Sequence, residues 1–167
     1  MLKPFARCCA LLACVGLSPA ATAATWNYIS AGNEETLYFF DADTVERSSN
    51  VVTLWIKTVQ VSSPDKGGAW STALRWRMNC SARTIQTLAW SDYDNAGNFI
   101  RSNNKSGTAN LALPDSTGEA VLKIACQANF PRDTSGKDYF ILDENDVFRA
   151  RDKYVRYLNT QSDTAPK

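Results

Sequence analysis

The sequence contains no histidine among its 167 residues. Without an imidazole, the chain cannot form a Ser-His-Asp triad or a Cys-His pair, and it has no histidine to bind a metal. It also contains no glycine-rich phosphate loop. These absences exclude most familiar hydrolase chemistry. We therefore expect a protein that is not an enzyme and that has neither a cofactor nor a metal.

The chain also lacks an excess of charge of one sign. Lys and Arg number 18 and Asp and Glu number 17, which gives a formal net charge of +1. A nearly neutral protein has no strong field with which to gather nucleic acid, so we expect no nucleic-acid partner. Hydrophobic residues make up 44% of the chain and charged residues 21%, a balance typical of one globular domain.

No apolar run reaches the roughly 18 residues that a membrane-spanning helix needs. The first residues instead have the order of a secretory signal peptide: basic Lys3 and Arg7, an apolar run from Cys8 to Leu17, and small residues at Ala21–Ala23. We predict that residues 1–23 are a signal peptide and that the mature protein is exported and does not span the membrane.

A second interpretation of the leader stays open. Leu11-Leu12-Ala13-Cys14 resembles a bacterial lipobox, in which Cys14 would become the lipidated first residue. The two interpretations place the protein in the periplasm, at the cell surface or on the outer membrane.

Cysteines are scarce once the leader is removed. Of the five in the sequence, Cys8, Cys9 and Cys14 lie in the leader, so that only Cys80 and Cys126 remain. In an exported protein two such thiols are expected to form a disulfide, and a redox-active pair would need the close Cys-x-x-Cys spacing that they lack. We predict a structural disulfide between Cys80 and Cys126.

Most of the mature chain favours β-structure. We expect one domain over residues 24–159 and a flexible tail over 160–167. Runs rich in β-branched and aromatic residues alternate with turn residues. These runs are Trp26–Ile29, Glu35–Phe40, Val51–Val61, Leu74–Cys80, Thr84–Tyr93 and Phe99–Arg101. Six successive strands predict an antiparallel meander.

Helical signals come late in the chain. Ser116 and Glu119 have the spacing of a capping box ahead of Ala120–Ala125. A short helix should start there, pack on the sheet through Val121, Leu122 and Ala125, and be joined to the sheet by the disulfide. A second helix is expected over residues 144–158. The predicted fold is α+β, with a helix across a six-stranded antiparallel sheet and a C-terminal helix.

The clearest alternation predicts a docking surface. Leu74, Trp76, Met78 and Cys80 share the parity of the core, so Arg75 and Arg77 should project from the other face. Trp55 and Lys57, and further on Trp90, could line up beside them. Trp and Arg commonly anchor protein interfaces, so these five residues form a candidate binding strip. Alternatively, Trp55 and Trp90 belong to a second core layer beneath the second helix.

Several segments together resemble a known family. They are Trp26–Ile29, Tyr38–Val45, Val52–Ile56, Asn79-Cys80 and Ser116–Cys126. Their order and spacing are similar to the surface-adhesin protein E family of exported bacterial proteins. The resemblance covers residues 26 to 126 and implies an antiparallel sheet with a helix packed across it, no catalytic motif, and attachment to host extracellular-matrix proteins.

The acidic turns suggest two weaker alternatives. Asp92–Asn98 resembles the opening of a calcium loop, but Ala96 and Asn103 stand where oxygen ligands belong, so a plain hairpin turn is favoured. Asp41, Asp43 and Glu46 are better explained as acids of a strand-ending turn.

Three hypotheses follow. The first is an exported protein that binds a host-matrix or envelope protein. The second is a periplasmic or envelope-structural protein without a host ligand, dimeric through an exposed strand edge. The third is an enzyme using Asp41, Asp92 or Asp94.

Overall fold

The structure of the chain is a computed structural model that describes residues 24, 26–32, 35–128 and 147–164. The expected signal peptide and Cys14 lie outside the described residues, as does the expected start of the second helix at 144–146. The strands are β1 (Trp26–Gly32), β2 (Thr36–Asp41), β3 (Glu46–Ser48), β4 (Val51–Gln60), β5 (Ser71–Asn79), β6 (Thr84–Tyr93), β7 (Phe99–Asn103) and β8 (Asn110–Leu111). The helices are α1 (Thr117–Ala125) and α2 (Val147–Thr164).

The strands form one antiparallel sheet in the order β1-β2-β4-β5-β6-β7. The predicted meander is therefore confirmed. Two short strands extend it: β3 continues the line of β2 along the first residues of β4, and β8 pairs with the start of β6. Strands of three and two residues are too short to show an alternation in the sequence.

The inner face of the sheet, which carries α1, holds the larger core. Phe40, Val52, Leu54, Ile56 and Met78 are buried there. The predicted helix face is confirmed, because Val121, Leu122 and Ala125 are buried in the same cluster. Leu74, Trp76 and Cys80 pack against it as partly buried residues, so the predicted core parity of β5 is confirmed as well.

Helix α1 is fixed at its C-terminal end by a covalent bond. Cys80 and Cys126 form the predicted disulfide, with their Cα atoms 5.7 Å apart. Arg47 of β3 adds two hydrogen bonds there, since its guanidinium donates to the carbonyl oxygens of Ala125 at 2.6 Å and Gln127 at 2.7 Å. Such carbonyls lack partners within the helix, so a cation that binds them stabilises this end.

The predicted capping residue holds the other end of α1. The Ser116 hydroxyl accepts a hydrogen bond from the backbone N–H of Glu119 at 3.2 Å. The Glu119 carboxylate accepts from the backbone N–H of Asp115 at 3.0 Å, one residue before the position that a capping box predicts.

Helix α2 covers part of the opposite, outer face. Val147 and Ala150 pack over Leu37, Phe39 and Val59 in a second core cluster. The predicted second helix is confirmed, but its expected end is wrong: it continues to Thr164, through residues assigned to the flexible tail. The chain meets no glycine or proline between Leu158 and Pro166, so nothing in its sequence stops the helix earlier. None of the helices that the structure describes is both long and apolar enough to cross a membrane.

Removing the disulfide should lower the free energy of unfolding without changing the topology of the fold. The bond closes a loop with a sequence separation of 46. On the chain-entropy model such a loop stabilises by about 4 kcal/mol. We expect the urea midpoint of the double variant Cys80→Ala/Cys126→Ala to fall accordingly, measured by circular dichroism. A midpoint equal to that of the oxidised wild type would contradict the assigned role.

Candidate functional site

The uncovered part of the outer face carries four of the five predicted binding residues. Trp55 of β4 pairs directly with Arg75 of β5, Thr53 pairs with Arg77, and Lys57 with Ala73. Directly paired residues share a face of the sheet. The structure therefore places Trp55, Lys57, Arg75 and Arg77 together, and we call these four residues the outer strip.

Weak electrostatic contacts orient the outer strip. Arg75 forms an ion pair with Glu46 of β3 at 3.3 Å, with side chains 40% and 69% exposed. An ion pair this exposed contributes little to stability. The Lys57 ammonium lies 5.6 Å from the ring centre of Trp26 and 5.4 Å from that of Tyr93, within cation–π range. Lys57 is thus held near aromatic rings, while the side chains of Arg75 and Arg77 remain in contact with solvent.

Trp90 does not belong to the outer strip, which corrects the prediction from the sequence. A β-bulge in β6 shifts the pairing, so that Arg75 pairs with Ala89 and Trp76 with Thr87. The extra residue reverses the parity of the strand, and Trp90 pairs with Leu74 on the inner face. There the Arg101 guanidinium lies 5.8 Å from the centre of the Trp90 ring.

The alternative interpretation, in which Trp55 and Trp90 belong to a second core layer beneath α2, is not supported either. The apolar cluster beneath α2, within the part of the chain that the structure describes, contains neither Trp55 nor Trp90. Both side chains are partly exposed.

The inner face holds a groove that the sequence reasoning missed. It lies beyond the first residues of α1, has a volume of about 320 Å³, and is open to solvent. The lining residues are Thr36, Tyr38, Thr58, Gln60, Asp65, Thr72, Leu74, Trp76, Thr117 and Gly118. We call this the inner groove. The sequence did contain a signal for this groove, because the inner-face positions of β4 are apolar at Val52 and Leu54 but polar at Thr58 and Gln60.

The acidic hairpin that resembled a calcium loop is a turn whose carboxylates are already engaged. The backbone N–H groups of Ala96 and Asn98 donate to one oxygen of Asp94, and the Asn98 side-chain amide donates to the other at 2.9 Å. These bonds, that of the Asn98 amide above all, lower the pKa of Asp94. The buried Asp92 accepts from Thr72 at 2.7 Å and from Arg101 at 2.8 Å.

The acids of the enzyme hypothesis are spread across the sheet. Asp41 ends β2, where it accepts from the backbone N–H of Asp43, while Asp92 and Asp94 lie on and beyond β6. Strands β4 and β5 separate the two places. Among the described residues, no group of three or more Cys, Asp or Glu side chains is arranged to hold a metal ion.

Glu119 connects α1 to the sheet. Its side chain is only 9% exposed and pairs with Arg83, next to β6, and with Lys123 at 3.2 Å on the same helix. The backbone N–H of Asp115 is the largest cause that lowers the pKa of Glu119, followed by Lys123. The carboxylate is therefore stabilised in its charged form in the folded protein.

The stability that Glu119 provides should depend on pH. A lowered pKa in the folded state stabilises the protein above about pH 4.3, the usual glutamate pKa, and this stability is lost as the pH falls through the folded-state value. We expect Glu119→Gln to be less stable than wild type at pH 7, with the difference shrinking below about pH 4.3. Urea unfolding from pH 7 to below the glutamate pKa measures this difference in stability. A difference that does not depend on pH would contradict the assignment.

Comparison with known proteins identifies the class. Residues 26–127 match the family model of surface-adhesin protein E, so the chain belongs to that family. Membership implies an exported surface protein that is not an enzyme and suggests binding to host proteins.

Solved structures of protein E from Haemophilus influenzae are similar at low identity. One is 18% identical, with a TM-score of 0.43, and the match covers 67% of this chain and 82% of that one. Another is 15% identical, with a TM-score of 0.45, and covers 65% and 88% respectively. A search of curated proteins gave no match.

Proposed function

We propose that the protein is an exported adhesin that attaches to an extracellular-matrix or cell-envelope protein through the outer strip. The observation that supports this most directly is the pairing of Trp55 with Arg75 on a face that α2 leaves open. Tryptophan and arginine combine large contact area with directed hydrogen bonds, which is why they dominate the binding energy of many interfaces.

The charges of the strip favour an acidic segment on the partner. Lys57, Arg75 and Arg77 are cationic, and the exposed Glu46 balances one of them. A partner carboxylate could replace Glu46 on Arg75, because that ion pair is exposed and costs little to break. Such a contact would be sensitive to salt, since exposed charges are screened within about 8 Å at physiological ionic strength.

The export route is part of the same proposal. Cleavage after Ala23 would release a mature chain beginning at Ala24, whereas lipidation at Cys14 would anchor the protein to a membrane surface. In either case the outer strip would operate outside the cytoplasm, where the disulfide is stable.

The double variant Arg75→Ala/Arg77→Ala tests the strip. We expect it to bind immobilised matrix proteins (collagen, fibronectin and laminin) at least about tenfold more weakly than wild type, because a tenfold change needs only about 1.4 kcal/mol and a single hot-spot arginine contributes about 2 kcal/mol. Surface plasmon resonance at physiological salt gives the dissociation constants.

The matched control is Lys66→Ala/Lys105→Ala, which removes the same charge from exposed positions outside the strip. If both double variants weaken binding equally, the contact is nonspecific charge attraction and the strip is not the site. If both double variants bind as tightly as the wild type, the contact lies elsewhere.

The far edge of the sheet favours a second candidate, an envelope-structural protein that forms a homodimer. Phe99 is 61% exposed, Ile100 40%, and Leu111 and Leu113 each 68%. They lie on or next to β7 and β8, beyond β6. Exposed apolar residues on an edge strand favour pairing with another strand, such as the β7 edge of a second copy.

The double variant Phe99→Lys/Ile100→Lys tests this edge. Because both side chains are exposed, the fold should tolerate the change, and we expect a wild-type dimer to dissociate into monomers as charge repels charge across the edge. Sedimentation velocity over a range of concentrations measures this. Wild-type protein that stays monomeric throughout the range would exclude the dimer.

A further inference from the structure

We propose that the inner groove is a second binding site, which takes a neutral saccharide. The groove lies on the face opposite the outer strip, so this site is additional to the proposed function and stands independently of it. Its volume of about 320 Å³ falls within the range of roughly 300–1,000 Å³ found for small-molecule sites.

The apolar part of the groove is formed by rings and one aliphatic side chain. Tyr38 of β2 and Leu74 and Trp76 of β5 line the same cavity, and β4 lies between these two strands. A pyranose ring has one face made of C–H groups, and such a face packs well on an aromatic side chain, whose other end can remain polar.

The polar part of the groove consists mainly of hydrogen-bond acceptors. Thr36 donates its hydroxyl proton to Gln60 at 3.1 Å, and Thr72 donates to Asp92 at 2.7 Å. A hydroxyl has one proton but two lone pairs, so both threonines can still accept hydrogen bonds. A ligand with many hydroxyl donors matches this arrangement.

The charge of the groove favours a neutral ligand. Among the described residues that line the groove, Asp65 alone carries a charge, and one of its oxygens accepts from the backbone N–H groups of Gly67 and Ala69, both at 2.8 Å. None of the lining residues that the structure describes is cationic, so none of them can hold a phosphate or a carboxylate. The four threonines and Gln60 leave too little apolar wall for an acyl chain. Burial raises the pKa of Tyr38, which keeps its hydroxyl neutral.

Saturation-transfer NMR on the full folded chain tests the proposal, with lactose, maltotriose, cellotriose and chitotriose as probes. We expect at least one probe to receive saturation on its ring C–H protons. Binding should not change between low salt and 0.5 M salt, about the range over which charge contacts are screened out. A strong salt dependence would overturn the assignment to a neutral ligand.

Strand β4 provides a matched pair of variants. Thr58 lines the inner groove and Thr53 lies on the outer face of the same strand, and both are partly buried. We expect Thr58→Lys to fill the groove and weaken saccharide binding at least about tenfold, while Thr53→Lys leaves it unchanged. Tyr38→Ala should also lose the signal, with near-ultraviolet circular dichroism to confirm that each variant is folded.

Two further results would overturn the proposal. One is that no probe receives saturation from the wild-type protein. The other is that Thr58→Lys and Thr53→Lys bind the saccharide equally well, which would place the site outside the groove. Neither result affects the proposal for the outer strip, because that is measured with matrix proteins and with variants on the other face.

Discussion

The attachment of α1 to the inner face is the constraint on which the rest of the structure depends. The helix has nine residues, too few to be stable alone in water. It is held at one end by the Cys80–Cys126 bond and by Arg47, and at the other by the cap of Ser116 and the ion pairs of Glu119. These contacts decide which part of the sheet is covered.

The two helices cover opposite ends of opposite faces. Helix α1 packs over the start of β4, at Val52 and Leu54, while α2 packs over the end of the same strand, at Val59. In the part of the chain that the structure describes, each face therefore keeps a region that neither helix covers: the outer strip near Trp55 and the inner groove near Thr58. A ten-residue strand of about 33 Å is long enough for both a helix and an open surface on each side.

Much of this fold could be predicted because its signals are local. The alternation from Leu74 to Cys80 predicts which face is buried, and the spacing of Ser116 and Glu119 predicts where α1 starts. The disulfide follows from counting the cysteines that remain after export. The placement of Arg75 and Arg77 needs only the period of two along one strand.

The parts that could not be predicted depend on contacts between strands. The bulge beside Thr87 reverses the face of Trp90, and a bulge is set by pairing with β5, which alternation within β6 does not reveal. The inner groove depends on the length of α1 and on where it lies over the sheet. Likewise, the position of β3 depends on its pairing with β4 and on the hydrogen bonds from Arg47 to the carbonyl oxygens of Ala125 and Gln127.

The most direct test of the central claim is peptide mapping of the exported protein after alkylation without reduction. If α1 is bonded to the sheet, the peptides that contain Cys80 and Cys126 will be recovered as one linked species, and neither cysteine will carry the alkyl label. Recovery of both cysteines as labelled, separate peptides from folded protein would contradict the account, because the helix would then lack the bond that holds it in place.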